Sequence, residues 1–285
     1  MQYAYLNHKL LPVHEALIPV TDRGFRFGDG VFETIRVHQG IPYRFEWHLQ
    51  RLATGLRAIH INFDTIQLQA LCAGLLKRNK CEQGLLRIQV TRGSSGNGYL
   101  PADSTPTFLI ETQPLTPVPA GPVSLYLSSY RRIPAACLPV SNKLSQGMNS
   151  TLARMEAREH GCFEALQLNT EGIIAECSSS HIFWMKGNTL YTPALDAGVL
   201  DGSVRAAILS LYGNVIHETL TDIDTLTSAD AVCITNSSWL ALPVSTLIQA
   251  NCLWESTGMA NMLREQLEKD INAYSAAHRQ YWQIP

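Results

Sequence analysis

Phe45, Leu49, Leu52, Leu56 and Ile59 follow one another at spacings of four, three, four and three, which marks one apolar face of a helix over roughly 44–60. Shorter apolar runs around it, 31–37 (VFETIRV), 85–91 (LLRIQVT) and 107–112 (TFLIET), have the length and β-branched content of strands. A second helix is expected over 64–78, so this part of the chain reads as mixed α/β. Beyond residue 122 the pattern is more regular. A strand over 123–130 precedes a helix near 147–160, with Met148, Leu152 and Met155 on one face and Gly161 placed to end it. Strands are predicted over 164–169, 173–177 and 181–186. Glu171-Gly172 turns between the first two, and Gly187-Asn188 is a two-residue hairpin turn into 189–193. Gly202-Ser203 precedes a helix carrying Val204, Ile208 and Leu211 on one side and stopping at Gly213. The segment 231–248 reads as strand, loop and strand, and 258–280 as a terminal amphipathic helix.

The stretch from Gln113 to Pro122, QPLTPVPAGP, holds four prolines. Proline fixes φ and removes an amide donor, so a semi-extended linker is expected there. The resulting organisation is a smaller N-terminal α/β domain over 1–115, a linker over 116–122 and a larger C-terminal domain over 123–285.

Composition narrows the function. The 285 residues are 46% hydrophobic and 16% charged, with 22 basic and 24 acidic side chains and a net charge of −2. That balance argues against nucleic-acid binding, which draws on a basic excess, and offers no polybasic membrane patch. No run approaches the roughly 20 apolar residues of a membrane helix. The first residues show no basic stretch followed by an apolar core. Seven cysteines without a C-x-x-C pair fit reduced thiols better than a disulfide framework or a zinc knuckle. A cytoplasmic enzyme acting on a small molecule is the expectation.

Several motifs fail on inspection. Arg92-Gly93-Ser94-Ser95-Gly96-Asn97-Gly98 lacks the Lys-Ser/Thr ending of a phosphate loop and is not a nucleophile elbow. Ser141 stands two residues before Lys143, so no S-x-x-K pattern arises. The nine histidines show no metal-ligand spacing, and no catalytic metal is expected.

What remains is an ordered series: Phe27-Gly28-Asp29-Gly30-Val31-Phe32-Glu33-Thr34-Ile35-Arg36, then Glu46-Trp47-His48-Leu49-Gln50-Arg51-Leu52, then Lys143 ahead of Asn149-Ser150-Thr151-Leu152-Ala153-Arg154. Glu164-Ala165-Leu166, Glu176-Cys177-Ser178-Ser179-Ser180-His181-Ile182-Phe183 and Leu200-Asp201-Gly202-Ser203-Val204-Arg205 follow. From about residue 5 to 245 this resembles the class IV (fold type IV) pyridoxal-phosphate enzymes, which include branched-chain and D-amino acid aminotransferases and aminodeoxychorismate lyases. The resemblance implies a two-domain α/β (α+β) fold with a β-barrel-like sheet in the larger domain. It also implies a homodimer with pyridoxal 5'-phosphate in the cleft between domains. Lys143 is then the lysine that condenses with the cofactor aldehyde and serves as base and acid. Glu176 is the carboxylate facing the pyridine nitrogen, and Arg51 binds the phosphate. Gly202, Ser203 and Val204 bring helix N-terminal amides to that phosphate. Ser179, Ser180, Asn236 and Ser237 complete the cofactor contacts. Many relatives carry threonine at Val204; the amides survive that change but a hydroxyl is lost.

On the substrate side, Arg92-Gly93 is not followed by the Arg and His with which D-amino acid aminotransferases hold a carboxylate. It resembles instead the Arg-Gly-Ser-Gly-Gly-x-Gly-Tyr stretch of the lyases. Asn236 through Pro243-Val244 is closer to their asparagine loop than to the Gly-Thr-Ala loop of branched-chain enzymes. Thr34 matches a threonine that the lyases use to relay a proton. Phe25, Phe27, Arg92 and Tyr99 are the expected substrate contacts. The expected activity is conversion of 4-amino-4-deoxychorismate to 4-aminobenzoate and pyruvate, a step of folate biosynthesis, with transamination of a D- or branched-chain amino acid as the alternative.

Overall fold

A computed structural model describes residues 1–96, 98–115 and 117–282. Asn97 of the glycine-rich loop and Thr116 at the start of the expected linker lie outside the described residues. The chain divides into two units.

The first unit takes in Met1–Leu115, Asn142–Gln146 and the chain from Asp270 onward. Its strands are β1 (Tyr3–Leu6), β2 (Lys9–Pro12), β3 (Gly30–His38), β4 (Ile41–Pro42), β5 (Gln83–Thr91) and β6 (Thr107–Gln113), in the spatial order β2-β1-β6-β5-β3-β4. All of these pairs are antiparallel. Helix α1 (Arg23–Phe27) precedes β3, while α2 (Phe45–Ala58) and α3 (Leu68–Asn79) supply helical cover. The face predicted from the four–three spacing is the one α2 buries: Phe45, Leu52 and Leu56 join Ile35, Val37, Leu86 and Ile88 in one core. Helix α3 starts later than its apolar pattern, because Asp64 accepts a hydrogen bond from the Ile66 amide (2.9 Å) and closes a turn there. A side chain at Gly30 would place its Cβ 2.5 Å from the Val90 carbonyl, so the β3–β5 ladder needs glycine at that position.

The second unit comprises Thr116–Ser141 and Gly147–Lys269. It contains β7 (Val123–Leu127), α4 (Met148–Glu159), β8 (Glu164–Leu168), β9 (Ile174–Cys177), β10 (His181–Lys186), β11 (Thr189–Pro193), α5 (Ser203–Leu211), β12 (Ile216–Thr219), α6 (Asp224–Thr227), β13 (Ala231–Asn236), β14 (Leu240–Leu247) and β15 (Cys252–Leu253). Helix α7 (Gly258–Trp282) ends the described chain. The strands form one sheet, β12-β11-β10-β13-β14-β7-β8-β9 with β15 on β14, curled into a half-barrel. Strand β7 is shorter than its apolar run, and α4 turns inward on Ala153 and Ala157 while Met148 and Met155 are exposed. Trp184, Ile182, Val232, Ile234 and Leu242 lie in its core. No described helix is long and apolar enough to cross a membrane.

Candidate active site

Strand β3 alternates strictly: Val31, Glu33, Ile35 and Val37 are buried, while Phe32, Thr34, Arg36 and His38 are half-buried. Glu33 therefore enters the apolar face on which α2 packs, where an unpaired carboxylate would be costly. His48 and Arg51, one turn apart on α2, meet it there. His48 Nδ1 lies 2.6 Å from Oε2, and Arg51 donates from Nε to Oε1 (2.7 Å) and from Nη2 to Oε2 (2.6 Å). Burial pushes the Glu33 carboxyl up, but Arg51 and His48 outweigh it and hold the pKa at about 2. Burial lowers the His48 pKa; Glu33 opposes that, and the charges of Arg51 and Lys143 add to it.

Lys143 reaches this sheet on a five-residue excursion. Its carbonyl accepts from the Phe32 amide (3.0 Å), Leu144 bridges Val31, and the Ser145 amide donates to the Gly30 carbonyl (2.8 Å). Its ammonium lies 4.4 Å from the centre of the Phe32 ring. Thr34 shares the Phe32 face of β3 and pairs in register with Arg87 of β5. The Arg87 guanidinium lies 4.1 Å from the same ring, and burial lowers its pKa. Two cations thus lie against the Phe32 ring, and Thr34 shares that face of β3. The sequence reading missed Arg87, Glu33 and His48. Glu33 had a signal, a charged side chain in the buried phase of VFETIRV; Arg87 becomes visible only once strand register is known.

In the second unit, Glu176 is 6% exposed at the end of β9. Arg132 Nη2 holds Oε1 at 2.6 Å and the Leu200 amide donates to Oε2 (3.1 Å). Gly202 is the N-cap of helix α5, whose Ser203 and Val204 are buried, and as a glycine it brings no side chain to the first amides. Ser203 Oγ lies 3.4 Å from Ser237 Oγ. Close by, Ser180 Oγ and Thr235 Oγ1 are buried without a hydrogen-bond partner among the described residues, and His181 Nδ1 faces Glu176 Oε2 at 3.5 Å without forming a hydrogen bond. Open amides and orphaned donors beside a helix N-terminus suit an anionic group such as a phosphate. Ser179 and Asn236 act differently: Ser179 Oγ donates to Glu164 (2.7 Å), and Asn236 Nδ2 donates to the Ser179 carbonyl (3.1 Å) while its Oδ1 accepts from the Ser238 and Trp239 amides. Their visible bonds shape the loops around the site.

The expected substrate contacts divide. Phe25 and Tyr99 are exposed, and Tyr99 lies 5.8 Å from Phe27, ring centre to ring centre. Arg92 is a brace: Nε and Nη2 bind Asp29 (2.7 and 3.0 Å), and Nη1 and Nη2 donate to the His60 and Ile59 carbonyls at the end of α2. A guanidinium so committed ties α2 to the Asp29 turn. Among the described residues no cluster of His, Cys, Asp or Glu could hold a metal ion.

Residues 30–247 match the family described as Amino-transferase class IV. The chain is similar to the aminodeoxychorismate lyase of Bacillus subtilis (strain 168), with 29% identity over 94% of both chains. It is similar to the D-alanine aminotransferase of Bacillus licheniformis at 29% identity, over 85% of this chain and 87% of the other. Among solved structures, 4-amino-4-deoxychorismate lyase from Pseudomonas aeruginosa superposes with a TM-score of 0.82 at 28% identity, covering 94% of this chain and 99% of that one.

Proposed function

Because the chain belongs to the class IV amino-transferase family, we propose that it is a pyridoxal 5'-phosphate enzyme that eliminates pyruvate from 4-amino-4-deoxychorismate, leaving 4-aminobenzoate. When bound, the cofactor supplies an electron sink for charge that develops beside the substrate's amino group. Lys143 would hold its aldehyde carbon. Glu176, oriented by Arg132 and the Leu200 amide, would face its ring nitrogen, and the α5 amides at Ser203 and Val204 would take its phosphate together with Arg51. Uncapped amides beside unpartnered buried hydroxyls fit that role.

The observation that carries the lyase reading is the grouping around Phe32. On this reading Lys143 Nζ would remove the ring proton of the substrate. Thr34, on the Phe32 face of β3, would protonate the ether oxygen as the carbon–oxygen bond breaks. The departing enol becomes pyruvate, the ring becomes aromatic, and no oxidant or reductant is consumed. Arg87, opposite Thr34, offers a guanidinium to a substrate carboxylate. The glycine-rich stretch after Arg92 and the Asn236 loop support the same reading. A cytoplasmic homodimer serving folate biosynthesis completes it.

Transamination is the second reading, supported by the equal identity to a D-alanine aminotransferase. The test is to incubate the purified holoenzyme with aminodeoxychorismate and, separately, with amino acids plus 2-oxoglutarate. Release of 4-aminobenzoate, reduced at least 100-fold in Thr34→Ala and with a raised KM in Arg87→Met, is expected. No 4-aminobenzoate together with keto-acid turnover would reverse the assignment.

A further inference from the structure

Glu176 and His181 stand opposite each other across the turn from β9 to β10, where the Cys177 amide donates to the Ser180 carbonyl (2.8 Å). His181 is buried and pairs in register with Thr235 of β13. Its Nδ1 lies 3.5 Å from Glu176 Oε2. Its other edge lies against Gly202, so closely that a Cβ there would sit 2.7 Å from both Cδ2 and Nε2. The Leu200 amide, two residues before Gly202, binds the same Glu176 oxygen. One imidazole therefore touches the carboxylate on one side and the start of α5 on the other.

We propose that His181 is a positioning residue for the cofactor, orienting Glu176 and fixing the N-terminus of α5 against it. The proposal rests on the reading of Glu176 as the ring-nitrogen partner and α5 as the phosphate seat. Those two ends belong to one rigid molecule, so their separation must be fixed as well as their chemistry. The charged groups that act on the ring are Glu176, Arg205 and Arg132. Burial lowers its pKa to about 4; Glu176 and the Leu200 backbone oppose this, and Arg205 and Arg132 add to it. Near neutral pH the imidazole carries no charge. With the proton on Nδ1, a neutral ring turns an N–H toward the Glu176 carboxylate at 3.5 Å, near enough to become a hydrogen bond with a small shift and without adding a second cation beside Arg132.

The side chain can be dissected by shape and by hydrogen bonding. His181→Phe keeps the ring and removes the donor, His181→Asn keeps a donor at the Nδ1 position, His181→Ala removes both, and Glu176→Gln tests the underlying reading. Two quantities are measured: the dissociation constant of the apoenzyme for pyridoxal 5'-phosphate, by quenching of tryptophan fluorescence, and the pH midpoint of the holoenzyme's visible absorption band. Expected are at least tenfold weaker binding and a displaced midpoint in His181→Phe and His181→Ala, with the midpoint restored in His181→Asn. Wild-type affinity and midpoint in His181→Phe, while Glu176→Gln shifts both, would show that the imidazole only fills space and overturn the proposal. Should His181→Phe fail to fold, a wild-type midpoint in His181→Ala overturns it equally. If Glu176→Gln also leaves both quantities unchanged, the reading of Glu176 itself falls.

Discussion

Replacing Glu33 by alanine removes the carboxylate that pairs with Arg51 and His48. The expected loss can be worked in two ways. A carboxyl held at about 2 instead of its ordinary 4.5 is favoured in its charged form by about 3 kcal/mol, at 1.36 kcal/mol per pKa unit. Removing one partner of a buried ion pair costs roughly 3–5 kcal/mol, because the other charge stays behind without compensation. Both partners are more than nine-tenths buried, so solvent screening reduces these figures little. Glu33→Ala is therefore expected to lose about 3–5 kcal/mol in urea denaturation at pH 7, and Glu33→Ala/Arg51→Ala less than the sum of the single losses. The acid limb provides a second test. The folded-state pKa is depressed, so this contribution is complete above pH 4.5 and disappears as pH falls towards about 2; the variant should lose that slope. A Glu33→Ala protein within 1 kcal/mol of wild type, or strictly additive losses in the double variant, would refute the argument.

Gly30→Ala should destabilise by about 1–3 kcal/mol in the same assay, since the Val90 carbonyl at 2.5 Å cannot yield without opening the β3–β5 ladder. His181, with a folded pKa of about 4 against an ordinary 6.5, binds its proton more weakly when folded. Stability should thus rise with pH between about 4 and 6.5, and His181→Phe should flatten that rise in a pH series of melting curves. Native protein treated with a chromogenic disulfide should release one equivalent of thiolate quickly, from exposed Cys137, and more slowly from half-buried Cys81. Cys72, Cys177 and Cys233 are buried with their thiol pKa values pushed up, so they should react only after unfolding; their rapid labelling in the native protein would contradict their placement.

Elements with a strong local period were legible in the sequence. The apolar rhythm of α2 and the hairpin at Gly187-Asn188 follow from contacts within a few residues, which periodicity records directly. Strands β1 and β2 have only four residues each and were missed, because so short a pattern carries little signal. Pairings distant in sequence were also hidden. Nothing near Lys143 tells that its neighbours bridge Val31, and nothing near Arg92 tells that its guanidinium is spent on Asp29 and the end of α2. Arg51 stood out by resemblance, whereas Glu33, its buried counter-ion, required the pleat of β3 to be seen in three dimensions.

The first unit has a consequence for how the chain is made. Asp270 and the residues after it close that unit: Tyr274 Oη donates to Glu46 (2.6 Å), Asn272 meets His38 (2.8 Å), and Trp282 stacks edge-on with Phe45 at 4.8 Å. Roughly 150 residues of the second unit are inserted before them, a loop whose closure costs on the order of 4 kcal/mol in chain entropy. During synthesis the inserted unit emerges from the ribosome whole while its host is still missing its final helical turns. The nascent protein should accordingly mature from the middle outward, and a fragment ending near Leu115 should behave as an unfinished product that chaperones and proteases recognise.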